Sequence, residues 1–177
     1  ALVRDRLFAS TFGATHTLDT YYAAFRVPDL LFATVASLLS LYALLPVLSR
    51  LEAQGRGSVG FLSKTLLLFF AAMSALAAVL FMFAPYLAAL TAPGIAGGSL
   101  VLLMRILLLQ PILLGASNIL ASLTQLRHRF LLYSVSPLLY NLGIILGIVA
   151  LYPRMGLPGL AWGVVLGAAL HVMIQVP

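Results

Sequence analysis

No stretch of this chain carries enough charge to wet a protein surface, and that decides the solvent it folds in. Asp, Glu, Lys and Arg make up 8% of its 177 residues, against 63% hydrophobic residues, whereas a soluble domain carries about 25% charged residues. The surrounding medium must be largely lipid. There every backbone amide needs a partner within the protein, which leaves helices or a closed barrel. Barrel strands alternate apolar and polar residues, while the runs here are apolar on every side. The chain therefore reads as all-α, a polytopic transmembrane helix bundle.

The net charge of +6 would suggest nucleic acid in a soluble protein. Here the basic residues stand at the ends of apolar runs or inside them, where their first role is topology, and no nucleic-acid partner is expected. The absence of cysteine excludes disulfides and thiolate metal sites. No cleavable signal pattern is visible.

Charges and turn residues cut the chain into six apolar segments, at about 1–12, 20–49, 59–90, 99–126, 130–151 and 160–176. A crossing needs about 20 residues, so the first segment reads as the second half of a truncated helix and the chain as a fragment. Asp19 is placed to cap the second helix, which contains Pro28 and Pro46. Links two and four carry Arg50, Arg56, Arg127 and Arg129, with Lys64 just inside the third helix and Glu52 opposing them. Links one, three and five hold Arg154, Asp19 and His16. The positive-inside rule puts links two and four in the cytoplasm.

Several charges lie deeper. Arg4, Asp5 and Arg6 stand within the first segment, Arg26 and Asp29 within the second, and Arg105 within the fourth. An intramembrane charge costs at least about 2.5 kcal/mol on insertion scales, so such residues face protein or a wet cavity. Arg26 and Asp29 are i,i+3 and can share a helix face. The short first link makes helices one and two antiparallel neighbours, which brings Arg4 or Arg6 to the depth of Asp29. Two or three arginines against one or two aspartates leave a positive excess, and the planar guanidinium suits phosphate oxygens. Two readings stand: a cationic pocket for an anion, or Arg–Asp pairs that lock helices together.

The remaining polar residues point to packing. Asn118 and Asn141 can hydrogen-bond between helices, Gln110 can serve backbone freed at Pro111, and His171 stands alone. Gly143-x3-Gly147 and Gly163-x3-Gly167 read as close-packing faces. Tyr21, Tyr22, Tyr86, Tyr152 and Trp162 lie near segment ends, as an aromatic belt does. No histidine has a partner at ligand spacing, so no metal or other cofactor is expected. There is no GxSxG, HExxH, P-loop or paired carboxylate within one segment, and the chain is not read as an enzyme.

Several strings then carry a resemblance. Arg4-Asp5-Arg6-Leu7-Phe8-Ala9 with Phe12-Gly13-Ala14, Asp19-Thr20-Tyr21-Tyr22-Ala23-Ala24-Phe25-Arg26-Val27-Pro28-Asp29-Leu30, Thr91-Ala92-Pro93-Gly94, Ser136-Pro137-Leu138-Leu139-Tyr140-Asn141-Leu142-Gly143 and Gly159-Leu160-Ala161-Trp162-Gly163 occur in this order. Together they resemble the MurJ/MviN lipid II flippases of the MOP superfamily. The resemblance implies most of the N-terminal lobe of a two-lobed transporter in the bacterial cytoplasmic membrane. Such flippases carry an anionic polyprenyl-pyrophosphate-linked peptidoglycan precursor outward by alternating access, with a C-terminal lobe completing the cavity. By position it assigns substrate binding to Arg4 and Arg26, with Arg6 a further candidate, and gate or ion-pair roles to Asp19 and Asp29. Well-known members carry paired arginines after the proline motif and an acidic-Gly-Ala turn further on; here those places read Phe32-Ala33 and Ser37-Leu38-Leu39. The rival readings are another MOP exporter, of polyprenyl-linked oligosaccharide or drugs, and a non-transporting membrane scaffold.

Overall fold

The computed structural model describes residues 2–13, 15–38, 41–55, 58–95 and 97–176, so Arg56 of the second link and Leu39 of the second segment lie outside it. The described residues form α1 (Leu2–Phe12), α2 (His16–Ala23), α3 (Arg26–Leu38), α4 (Leu41–Ala53), α5 (Ser58–Thr91), α6 (Gly98–Leu107), α7 (Leu109–Leu126), α8 (Phe130–Leu146), a π-helical run (Gly147–Leu151), α9 (Tyr152–Met155) and α10 (Leu157–Met173). The all-helical reading holds. Ser58–Thr91, the joined Gly98–Leu126 and the joined Phe130–Met155 are long and apolar enough to cross a membrane, and Leu157–Met173 is a shorter apolar helix. α5 shows how such a helix meets lipid: Leu67, Leu68, Met82, Phe83 and Tyr86 all stand exposed. In water such a surface would drive association; in a bilayer it is simply solvated.

Prolines decide where the helices break. A proline cannot donate to the carbonyl four residues back, and its ring crowds that carbonyl. Pro28 has this effect at Ala24, where α2 gives way to α3, so the single second helix expected from the sequence is interrupted. Pro111 acts on Leu107, where α6 gives way to α7. Pro153 acts on Val149, inside the π-helical run, a common response to a broken ladder. Pro85 leaves α5 continuous but frees the Phe81 carbonyl, and Arg105 Nε donates to that oxygen at 3.2 Å.

The N-terminus of α2 also differs from expectation. Thr15, not Asp19, holds the N-cap position, with extended φ −121° and ψ 153°. Its carbonyl accepts from the Leu18 and Asp19 amides. Asp19 instead sits in the first turn, where its charge favours the positive end of the helix dipole.

The odd-numbered links gather at one end of the bundle. Phe12 at the end of α1 packs edge-on against Tyr152 at 4.8 Å between ring centres, and Arg26 Nη1 donates to the Thr91 carbonyl. One apolar cluster surrounds this end, including Phe12, Ala88, Leu100, Ile148 and Leu160. A second cluster, with Leu48, Leu62, Phe69, Ile119 and Leu123, packs the end of the even-numbered links. The positive-inside reading of links two and four predicts that a cysteine introduced as Gln54→Cys into the full-length protein reacts with an impermeant maleimide only from the cytoplasmic side. Gly94→Cys is expected to react only from outside.

Backbones approach most closely where α8 and its π-helical run cross α10. A Cβ built on Gly143 would lie 2.2 Å from Gly167 Cα, and one on Gly163 would lie 2.4 Å from Gly147 Cα. The two small-residue faces read from the sequence therefore pack on each other. Lipid tails are as apolar as leucine, so helices in a membrane associate through such tight contact rather than through the hydrophobic effect.

Candidate functional site

Arg4 on α1, Tyr21 on α2, Asp29 on α3, Gln110 on α7 and Tyr140 on α8 line one cleft of about 320 Å³, with Phe8, Tyr22, Phe25 and Ile144 completing the wall. At 1.5 Å per residue, Arg4 lies ~12 Å from the end of α1 at Phe12. Gln110 lies ~18 Å from the start of α6, and Tyr140 ~18 Å from Tyr152. These depths fall near the middle of a hydrocarbon core ~30 Å thick. The break before α3 and the kink before α7 turn Asp29 and Gln110 toward the same space.

The wall between the polar groups is aromatic. Phe8 and Tyr21 pack at 5.2 Å, and Tyr21 meets Phe25 edge-on at 5.0 Å. Tyr21 is 2% exposed, so it belongs to the bundle's interior and not to an interfacial belt. Gln110 is likewise buried, and its Oε1 has no hydrogen-bond partner. It faces the Asp29 carboxyl and does not serve the Pro111 kink. An amide oxygen buried without a partner costs roughly 1–3 kcal/mol, a cost a structure retains where the group serves a ligand or water.

The five site residues named from the sequence do not converge. Arg4 and Asp29 enter the cleft. Arg4 is ion-paired to its neighbour Asp5, at 2.7 Å between Nη2 and Oδ1. Arg26 turns away: its guanidinium satisfies the last-turn carbonyl of α5 at Thr91, where the negative end of a helix dipole attracts a cation. The i,i+3 pair of Arg26 with Asp29 accordingly does not form, and among the described residues the ion pair is Arg4–Asp5. Arg6 is exposed and outside the cleft, and Asp19 borders a shallow depression with Asp5, Ala9 and Gly13. The expected positive excess is thus absent from the cleft itself, where one arginine faces one aspartate.

The interhelical hydrogen bonds also fall elsewhere than expected. Asn141 Nδ2 bonds Pro137 O within its own helix. Besides the arginine contacts to Thr91 and Phe81, the described residues include cross-helix bonds from Ser117 Oγ to His171 Nδ1 at 2.7 Å and from Gln175 Nε2 to Ser136 Oγ at 3.0 Å. His171 is therefore partnered. Sequence reasoning missed the cleft roles of Tyr21, Gln110 and Tyr140; for Gln110 the signal was an amide placed mid-segment beside a proline.

An apolar helix bundle with ionisable and amide groups on a mid-depth cleft defines an α-helical membrane protein with a polar site among its helices. The profile of the lipid II flippase MurJ family matches residues 8–177, and the chain belongs to that family. A curated relative, the lipid II flippase MurJ of Burkholderia cenocepacia, is 27% identical over 198 residues, an alignment covering 99% of this chain and 36% of the relative. The chain thus spans about a third of that relative's length. Arg4 and Arg6 precede the matched family span and lie within reach of the comparison with the relative, which takes in nearly the whole chain.

Proposed function

We propose that these helices are most of the N-terminal lobe of a multi-pass flippase in the bacterial cytoplasmic membrane. Its cargo is lipid II, the polyprenyl-pyrophosphate-linked peptidoglycan precursor, carried outward by alternating access with a C-terminal lobe of the same protein. The observation that carries the reading is the meeting of Arg4 with Asp29, Gln110 and three tyrosines on one cleft near mid-depth. Family membership supports the cargo.

Arg4 is the group suited to the pyrophosphate, because a guanidinium keeps its charge and offers paired N–H donors to phosphate oxygens. Its pair with Asp5 is partly exposed, and exposed pairs contribute only about 0–1 kcal/mol. A doubly charged headgroup can displace such a partner. Asp29 then repels the headgroup once Arg4 is drawn away, which favours release, while Tyr21, Tyr140 and Gln110 offer neutral hydrogen bonds that do not trap the cargo. Rocking of one lobe against the other would expose this face alternately to the two sides. We assign Asp19, at the odd-link end and outside the cleft, to a gate contact rather than to the headgroup.

Complementation of a flippase-depleted bacterium by the full-length gene tests the function. Restored growth with lipid II reaching the outer face supports the proposal. Restoration of O-antigen-type export alone would favour another exporter. Arg26→Ala gives a separate expectation, since its guanidinium holds the end of α5 outside the cleft. Transport should stay within about threefold of the unmodified protein, with thermal stability lowered by about 1 kcal/mol. A large loss of transport at normal stability would return Arg26 to the binding residues.

A further inference from the structure

On another face of the bundle, α5, α6, α7 and α10 enclose a second and larger hollow of about 720 Å³, separate from the polar cleft. Its wall is almost wholly apolar, formed by Ala77, Ala78, Met82 and Ile112 among others, with Arg105 and Trp162 beside them. Arg105 lies ~10 Å along the helix from the start of α6 at Gly98, on the side of the odd-numbered links. It is held in place: Nε donates to the Phe81 carbonyl freed by Pro85, and the guanidinium carbon lies 4.6 Å from the Phe81 ring centre. That contact uses one of five N–H donors. Among the described residues no acceptor meets its Nη groups, and none meets the indole N–H of Trp162, a residue 41% exposed.

We infer that this groove is a binding site for an anionic phospholipid of the leaflet at the odd-link end. The phosphodiester sits on the Nη groups of Arg105, the indole of Trp162 donates beside it, and one acyl chain lies along Ala77, Ala78 and Ile112. Charge complementarity commits the site to this occupant. An apolar groove alone would take any chain, but a fixed guanidinium with unmet donors inside the hydrocarbon requires an anion or water, and the nearest anions in a bilayer are lipid phosphates. A zwitterionic lipid also carries a phosphate, yet its ammonium offsets the attraction, so the site discriminates by net headgroup charge.

The test uses the full-length protein, purified in detergent and titrated with phosphatidylglycerol or with phosphatidylcholine of the same chains, with bound lipids counted by native mass spectrometry. The unmodified protein is expected to retain phosphatidylglycerol about fivefold more strongly, the worth of one basic residue near an anionic lipid. Arg105→Gln should abolish the preference and Arg105→Lys should keep most of it. Ala78→Phe, which fills the groove without removing the charge, should lower retention of both lipids. Should Arg105→Gln misfold, the Arg105→Lys and Ala78→Phe pair still decides. Unchanged phosphatidylglycerol retention in Arg105→Gln overturns the inference, as does equal retention of the two lipids by the unmodified protein. So does a cross-link from position 78 to another part of the full-length chain, which would show the groove covered by protein. None of these outcomes bears on lipid II transport, which is read at Arg4.

Discussion

Arg4→Ala in the full-length protein is expected to cut lipid II transport by about 10- to 100-fold while leaving the amount of protein in the membrane unchanged. Hydrogen bonds to charged groups are worth about 1.5–3 kcal/mol, which converts to that range at 1.4 kcal/mol per tenfold. The protein level should hold because Arg4 does not anchor a helix. Its partner is the adjacent Asp5, so its loss frees no other element. Arg4→Lys should recover only part of the activity, since an ammonium keeps the charge without the planar fork. The measurement is transport in reconstituted vesicles, paired with immunoblots of the membrane fraction. Normal transport by Arg4→Ala would remove the arginine from the mechanism. Loss of the protein itself would favour the scaffold reading, in which intramembrane charges only hold helices.

Gly163→Val should instead destroy the bundle. The added Cβ would lie 2.4 Å from Gly147 Cα and 3.1 Å from the Gly143 carbonyl oxygen. Both neighbours are backbone, so no side chain can swing aside and α10 must separate from α8. Overpacking in a core costs about 1–3 kcal/mol and sometimes more, and a clash between two rigid helices belongs at or above the top of that range. We expect little or no folded protein, seen as a collapsed or strongly lowered melting temperature in detergent. Gly98→Ala makes a matched control, because a Cβ there meets nothing within 4 Å. If Gly163→Val melted like the unmodified protein, the close crossing of α8 and α10 would be wrong.

The all-helical membrane architecture was legible because its signal is cumulative: scores of apolar residues interrupted by few charges leave no other solvent. The facing glycines were legible for a related reason, since a helix repeat of small residues has one main use in lipid. What could not be read was the direction in which individual side chains turn. Arg26 and Asp29 share a face on an unbroken helix, but α3 starts at Arg26 itself, and at that first position the carbonyl end of α5 offers a competing acceptor. Nothing in the spacing of residues 26 and 29 encodes an acceptor at residue 91. Gln110 was misread for a similar reason. A polar residue beside a proline has a local use, and only the tertiary arrangement shows that its amide faces Asp29 across a cleft. Arg105 is the converse case: an intramembrane charge that suggested a site is tied first to the Phe81 carbonyl, 24 residues earlier in the chain and released by Pro85.

The departures at Phe32-Ala33 carry a physical consequence. With Arg26 turned to Thr91 and no arginine pair after the proline motif, Arg4 is the one guanidinium among the described residues that lines the cleft. Under the proposed function, further positive charge for a pyrophosphate would come from elsewhere in the full-length protein. A balanced cleft also suits a carrier better than a deep cationic trap, since cargo that binds too tightly does not leave.

Site-directed photocross-linking shows whether the cleft between Arg4 and Gln110 meets the pyrophosphate headgroup. A benzoylphenylalanine placed at position 110 of the full-length protein in living cells should, on irradiation, join covalently to the lipid-linked precursor, while the same probe at Phe83, exposed on α5 outside the cleft, should not. Equal capture at both positions, or capture at 83 and none at 110, would mean that the headgroup does not bind in this cleft.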